Sequence, residues 1–372
     1  MHVAQINFLP APEGCTPSEV FEQWPSLADI PEAAATTGIR VSVIQAAARH
    51  ARVTRNGVDY HFVDVATEGS VASRGRRIAS LLGDVDVLHV HGLGFAEDAF
   101  AVAQCLPNVP VLFQDHADRP PPWWRRSRWR RWYTVAAAVA FTAPELAQPF
   151  IDAGVFAPPT RIFAIPESSS RFRRGNRAVA RAATGLHGDP CVLWVGHLNS
   201  GKDPLTVLDG VAEAAAQLPG LELWCAFGSA PLLDEVEQRI ARDPRLRGHV
   251  HLLGKVAHPR IETLMQAADL FVSGSRAESC GYAVLEALAC GVTPVVTDIP
   301  SFRVLTGGVV GALWPYGDVK ELAAALVRCA ASRPSPDQVR AHFDAALSFA
   351  AVGRRWADAY AQLLDDSHRR IA

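Results

Sequence analysis

Short aliphatic runs alternate along this chain with longer segments whose apolar residues fall three and four apart. Val41-Ser-Val-Ile-Gln45, Val85-Asp-Val-Leu-His-Val90, Val111-Leu-Phe-Gln114, Val192 to Val195, Leu221 to Phe227 and Val250 to Leu253 read as strands. Leu205, Leu208, Val211 and Ala212 have helical spacing, as do Ile261, Leu264, Met265 and Ala268. Such alternation predicts parallel sheets with crossover helices, the α/β class. With 372 residues, the chain is long for one hydrophobic core, so two domains are expected. The segment Pro166 to Pro190 is rich in Ser, Arg and Gly and lacks sustained apolar periodicity, which reads as a linker. The expected division is 1–170, a linker 171–190, a second domain 191–345, and a C-terminal helix within 346–372 where Val352, Trp356 and Tyr360 recur four apart. Two Rossmann-like domains with parallel sheets facing across a cleft would place ligands at the carboxyl ends of the strands.

Charge and cysteine usage exclude several classes. A net charge of -2 gives no global reason to bind nucleic acid. Seven scattered cysteines, with no Cys-x-x-Cys pair, argue against a disulfide framework and a structural zinc site and fit a reducing cytoplasm. His89 and His91 alternate on one strand but spacing supplies no third ligand, so no metal is assigned. Met1 to Pro10 reads as a first strand and not as a leader, and the apolar run Val135 to Phe141 is far short of the roughly 20 residues that span a bilayer. Any membrane contact is expected to be peripheral, on the inner face.

The densest chemistry lies in Glu278-Ser-Cys-Gly-Tyr-Ala-Val-Leu-Glu286, which follows the strand-like Leu270-Phe-Val-Ser273 and opens an apolar helical pattern. Amides in a helix's first turn lack intrahelical acceptors and face the positive end of the dipole, so Gly281, Tyr282 and Ala283 are candidates to hold a phosphate. With a helix starting near Ser279, Glu286 lies about two turns along it, roughly 10 Å away. Glu278 would meet the ligand beyond its phosphates and Glu286 the part behind them, a span that suits a nucleotide sugar. A glycosidase pair must flank one bond at roughly 5 to 9 Å, which two carboxylates strung along a helix axis do not obviously do.

Glu278, Cys280-Gly281, Glu286-Ala287, Ala289-Cys290-Gly291 and Pro294-Val295-Val296 resemble the Glu-x7-Glu signature of retaining GT-B glycosyltransferases, particularly family four. Val192 to Gly196 with Gly201-Lys202-Asp-Pro resembles the opening of that family's donor domain, and Ala226-Phe-Gly228, His251 to Val256, Ala267-Ala-Asp269 and Gly317-Asp318 resemble later segments. The match is close over about 190 to 331 and loose before it. The resemblance implies a nucleotide-sugar-binding second domain, an acceptor-side first domain, and a C-terminal helix that returns to the first. It also implies roles. Lys202 neutralises the departing diphosphate, Glu278 positions sugar hydroxyls, Glu286 holds the ribose, Lys255 and Val256 meet the base through the backbone, and His116 closes over the sugar. Transfer would be front-face and retaining, with a nucleoside-diphosphate sugar as donor substrate and no cofactor or metal.

Two positions depart from the family. His197-Leu198 stands where Arg-Leu is usual, and an imidazole offers no bidentate fork. His197 is expected to approach the diphosphate weakly and to make turnover fall as pH rises through its pKa. Leu9-Pro-Ala-Pro-Glu-Gly14 replaces the usual Gly-Gly pair with a stiffer loop, which makes acceptor recognition particular to this subgroup. These departures keep a noncatalytic sugar-nucleotide-binding protein open as a rival, and an epimerase or phosphorylase on the same scaffold is another. Trp123 to Tyr133 interleaves five arginines with aromatic rings. Trp123, Trp124, Arg125 and Arg126 are candidates for acceptor or anionic-membrane contact, while Trp129, Trp132, Tyr133 and Ala136 share one helical face that reads as packing. Sugar, base, acceptor and oligomeric state have no signature in the sequence.

Overall fold

The computed structural model describes residues 1–65 and 68–371, which form two compact units: Met1–Ser168 with Phe349–Ala372, and Ser169–Ser348.

The first unit is built on an eight-stranded sheet. Its strands are β1 (His2–Asn7), β2 (Arg40–Ala46), β3 (Ala51–Arg55), β4 (Val58–Val63), β5 (Val87–His91), β6 (Val111–Gln114), β7 (Ala136–Phe141) and β8 (Arg161–Ala164). They lie in the order β3-β4-β2-β1-β5-β6-β7-β8, parallel except for the β3–β4 hairpin. The chain starts at β1, builds outward through β2, then returns to place β5 on the other flank of β1. The β1/β5 boundary is therefore the point where strand order reverses, the place where open parallel sheets leave a crevice.

The second sheet has the same logic with six parallel strands. These are β9 (Cys191–Gly196), β10 (Glu222–Phe227), β11 (Val250–Gly254), β12 (Leu270–Ser273), β13 (Thr293–Thr297) and β14 (Ala312–Trp314), in the order β11-β10-β9-β12-β13-β14. Its reversal lies between β9 and β12. Strands such as Val192-Leu-Trp and Leu270-Phe-Val are apolar on both faces because helices cover both sides of the sheet.

The structure departs from the expected organisation in three places. Segment 171–190, read as a linker, contains the helix Arg177–Thr184 and buries Phe172, Ala180 and Leu186 in the second unit's core. Its charges misled the reading, because Arg177 and Arg181 pair with Asp269, a carboxylate only 5% exposed that Arg333 also meets. Ala136 does not extend the helix bearing Trp129 and Trp132: that helix ends at Trp132, a 3-10 turn covers Tyr133–Val135, and Ala136 starts β7. The β3–β4 hairpin was not anticipated, although Asn56-Gly57 at its turn, with φ of 47° and 79°, is a strong two-residue hairpin signal.

The final helix, Phe349–Ile371, lies in the first unit. Val352, Trp356 and Tyr360 are fully buried there against the helix Ser26–Ala35 and the sheet. Among the described residues, no helix is long and apolar enough to cross a membrane.

Candidate functional site

The reversal point of the second sheet carries the predicted chemistry. β9 ends at Gly196 and leads into the loop that holds Lys202, while β12 ends at Ser273 and leads into the loop that holds Glu278. Gly274 lets the two loops meet, since a Cβ there would lie 2.9 Å from the Asp203 carbonyl. The Arg276 amide donates to the Gly201 carbonyl at 2.9 Å, and Ser301 Oγ donates to the Glu278 and Ser279 carbonyls. Lys202 is followed by Asp203 at φ 43°, a left-handed conformation that costs a non-glycine residue of order 1 kcal/mol and persists where surroundings impose it. Asp203 then caps the next helix by accepting from the Thr206 amide.

The helix after Glu278 starts later than the spacing predicts. It spans Tyr282–Ala289 with Gly281 as N-cap, so Glu286 lies about one turn, roughly 6 Å, from its start and not two turns from Ser279. Glu278 precedes the helix on an extended loop. The Val284 and Leu285 amides donate to the Gly281 carbonyl, at 3.0 and 3.2 Å, so Gly281, Tyr282 and Ala283 are the amides that precede the first intrahelical bond. Gly281 has φ 77°, and a Cβ there would lie 2.8 Å from the buried Phe302 ring.

These groups line one cavity of about 290 Å³, together with Val195, His197, Phe271 and Ser275. Each glutamate of the motif is paired with a basic side chain from another element. Lys202 Nζ is bonded to Glu278 Oε1, and His258 Nε2 lies 2.6 Å from Glu286 Oε1. The hydrogen bond to Glu286 is the main reason the His258 pKa is raised, against an opposing effect of burial. His258 was absent from the sequence reading, since nothing in its spacing links it to Glu286, 28 residues away.

His197 also lines the cavity. Its Nδ1 accepts the Ser229 amide at 3.1 Å, which leaves the hydrogen on Nε2. With Nδ1 engaged, the ring offers one N–H, from Nε2, where an arginine would offer a bidentate fork. Lys255 is exposed after β11 and Val256 packs against the core; neither lines this cavity. A larger cavity, of about 690 Å³, lies between Asn176 and Ser335. It contains none of the predicted site residues, so the smaller one at the strand ends is the candidate donor site.

The first unit's reversal point gathers the histidines. His116 Nδ1 lies 2.8 Å from Glu167 Oε1, and its Nε2 lies 3.0 Å from His91 Nδ1. His91 Nε2 meets Gln5 Oε1 at 2.9 Å, Gln5 Nε2 donates to Tyr360 Oη, and Tyr360 Oη meets His89 Nδ1 at 2.7 Å. Gln5 Oε1 can only accept, so His91 carries its hydrogen on Nε2 and accepts at Nδ1. His116 must then donate from Nε2, and also from Nδ1 to the Glu167 carboxylate, which makes it an imidazolium paired with Glu167. Burial opposes that charge, yet the bond to Glu167 and the nearby Asp118 and Asp115 raise the His116 pKa overall. Burial and the neighbouring rings push His91 well below the usual range, and burial takes His89 to about 3. With both ring nitrogens engaged, His116 presents its ring and its charge, and no spare N–H. Ala117 follows it at φ 61°.

Trp123 and Trp124 are 75% and 63% exposed, their rings edge to face at 5.8 Å, whereas Trp129 and Trp132 pack on the core and Tyr133 is fully buried. Among the described residues, one cluster, His187, Glu222 and His251, has ligand atoms within 4.8 Å of one another. Glu222 opens β10, at the opposite end of the second sheet from the donor cavity, and Trp224 stacks on His251 at 3.9 Å. The cluster therefore takes no part in the site.

Residues 189–332 match the family model for glycosyl transferases group 1. D-inositol 3-phosphate glycosyltransferase of Mycolicibacterium paratuberculosis is 36% identical over 160 residues, which are 42% of this chain and 35% of that protein. The Mycobacterium tuberculosis protein of the same name is 34% identical over 160 residues, 42% of this chain and 32% of its own. The matched stretch thus spans about a third of these relatives' length. Similar solved structures include a glycosyltransferase from Rickettsia africae, with a TM-score of 0.69, 12% identity and 98% of each chain covered. Sucrose-phosphate synthase from Thermosynechococcus elongatus has a TM-score of 0.65 at 18% identity, covering 98% of this chain and 99% of that one. Anabaena HepE in complex with UDP and glucose has a TM-score of 0.68 at 17% identity, covering 97% and 100%.

Proposed function

We propose, starting from a GT-B chain whose residues 189–332 match the glycosyl transferases group 1 model, that this protein transfers a sugar from a nucleoside-diphosphate sugar to an acceptor, with retention at the anomeric carbon and without a metal. The observation that carries the reading is the one cavity that Lys202, Glu278 and Glu286 share with the start of the helix Tyr282–Ala289, with Lys202 paired to Glu278 and His258 reaching Glu286 from outside the lining. A donor exchanges these internal partners for its own groups.

The chemistry follows from charge. Breaking a sugar–phosphate bond moves negative charge onto the leaving diphosphate, and preorganised cations and amides aimed there stabilise the transition state more than the ground state. Lys202 turns from Glu278 to a phosphate oxygen. The Gly281–Ala283 amides and the helix dipole bind the other phosphate, and His197 Nε2–H adds one more donor. Glu278, once released, accepts from sugar hydroxyls, and Glu286 accepts from the ribose. Retention requires the acceptor oxygen to enter on the face from which the diphosphate leaves, and the diphosphate can take its proton.

The test is nucleoside diphosphate release from a panel of uridine, guanosine and adenosine sugars with candidate acceptors, followed by NMR assignment of the product anomer. Release with the donor's anomeric configuration preserved is the expected result. An inverted product would remove the retaining mechanism. Binding without turnover would favour the noncatalytic rival, and conversion of donor alone the epimerase.

His258 gives a prediction in pH. Its folded-state pKa is raised, so the stability it lends through Glu286 is fully present below its unfolded pKa and is lost as pH rises through the folded value. Deprotonation also frees Glu286 for ribose. With the His258 side chain 70% exposed, the pair contributes about 0.5 to 1 kcal/mol, so nucleoside diphosphate affinity is expected to tighten about two- to fivefold across that range. Calorimetry at pH 5.5 and 8.5 checks this, and the difference should vanish in His258→Ala.

The exposed Trp123–Trp124 pair beside Arg125 and Arg128 supports a peripheral contact with an anionic surface. The wild type should sediment with phosphatidylglycerol vesicles, and Trp123→Ser with Trp124→Ser should weaken that roughly tenfold. Wild-type protein left in the supernatant would remove the membrane contact from the account.

A further inference from the structure

The reversal point of the first sheet opens into a second cavity, of about 310 Å³, at the lower end of the roughly 300 to 1,000 Å³ typical of small-molecule sites. β1 ends in it at Asn7 and β5 at His91, the two strands between which the order reverses. Leu9, Trp24, Leu27, Val43 and Phe95 make its walls apolar and aromatic, while Asn7, Ser26, His91 and His116 supply its polar atoms. Among the described residues, no lysine, arginine, aspartate or glutamate lines it.

A cavity built to take a phosphate offers unpaired cations or a cluster of amides, because a dianion stripped of water is costly without them. Among the described lining residues the one cation is the His116 imidazolium, and Glu167 already neutralises it at 2.8 Å. The clustered amides of Leu93, Gly94 and His116, next to the lining residues Gly92 and Phe95 in sequence or themselves in the lining, donate to the Asp118 carboxylate at 2.7, 3.1 and 3.2 Å. An incoming phosphate would meet occupied donors with Asp118 and Glu167 behind them. A ring with hydroxyls fits these walls: its body lies against Trp24 and Phe95, and its hydroxyls reach Asn7 and Ser26.

We infer that this cavity binds the acceptor, and that the acceptor is an uncharged, ring-bearing alcohol and not a sugar phosphate. The assignment rests on the transferase reading for the word acceptor, and its test measures binding alone, so the two can fail separately.

Phenyl β-D-glucopyranoside serves as the neutral probe, with glucose 6-phosphate and myo-inositol 3-phosphate as charged comparators, each titrated into the full chain by ligand-observed NMR. The neutral probe should bind saturably and at least tenfold more tightly than either phosphate. Trp24→Ala should weaken it about tenfold. Leu9→Arg, at a position 52% exposed where substitution is compatible with folding, should weaken the neutral probe and strengthen the phosphates. UDP, GDP and ADP binding, measured on the same samples, should be unchanged in both variants, and wild-type far-ultraviolet circular dichroism and thermal midpoints show that the substituted first unit is folded. Tighter binding of either phosphate to the wild type would overturn the inference. So would no binding of the neutral probe, or neutral binding unaffected by both substitutions. Failure of all three nucleotides to bind the wild type would instead count against the donor site.

Discussion

Lys202→Ala should lower turnover of the sugar nucleotide by about 10² to 10³-fold, the range seen when one preorganised charge-stabilising donor is removed. Lys202 lies in a loop fixed on both sides, by Asn199 Oδ1 accepting its amide at 3.0 Å and by the Arg276–Gly201 bond, so the cation is placed before the donor arrives. The substitution also strands Glu278, whose side chain is only 16% exposed, so some stability is lost with the activity. Lys202→Ala with Glu278→Gln separates the two effects. The double variant should regain much of the thermal midpoint and none of the rate. Lys202→Arg should retain part of the rate, since it keeps the charge with a different reach. Single-turnover kinetics at saturating donor check the assignment: the loss should sit in kcat more than in KM.

Gly281→Ala should destabilise the fold by about 3 kcal/mol and weaken the diphosphate together with it. Two penalties combine. A side chain at φ 77° occupies the left-handed region, at about 1 to 2 kcal/mol, and its Cβ would lie 2.8 Å from Phe302, a ring with 1% exposure and little room to retreat. Relief of that clash requires moving the helix start, which is where Gly281, Tyr282 and Ala283 present their amides. Urea unfolding would measure the first effect and nucleoside diphosphate titration the second. A variant with wild-type stability and wild-type affinity would show that the helix start is not a phosphate site.

The repeating strand and helix patterns made the α/β class and both sheets legible, because strands buried on two faces must be aliphatic throughout. Strand order was not legible. Val192 and Leu270 look alike, and only the fold shows that β9 and β12 adjoin where the chain reverses, which is what turns Lys202 and Glu278 into neighbours across 76 positions. β7 was missed because alanine favours helices intrinsically, and pairing with β6 and β8 overrides that preference. The linker reading failed because arginines near Pro and Gly look solvated until Asp269 is found among them.

Of the site, the residues carried by one contiguous motif were readable, and the partners supplied from a distance were not. His258 comes from the start of another helix. The network running from Glu167 through His116, His91 and Gln5 to Tyr360 and His89 draws on strands and on the last helix, up to 355 positions apart. His116 was singled out as the residue at the end of its strand, but its charge state follows from Glu167, His91 and Gln5, partners that no spacing records.

The central claim is that the second unit's cavity holds a nucleoside diphosphate between Lys202, the helix start and Glu286. Calorimetric titration of UDP, GDP and ADP into the wild type and into Glu286→Ala tests it most directly. At least one nucleotide should bind the wild type with micromolar affinity and bind the variant at least tenfold more weakly. Folded wild-type protein that binds none of the three, or a variant that binds as tightly as the wild type, would contradict the account.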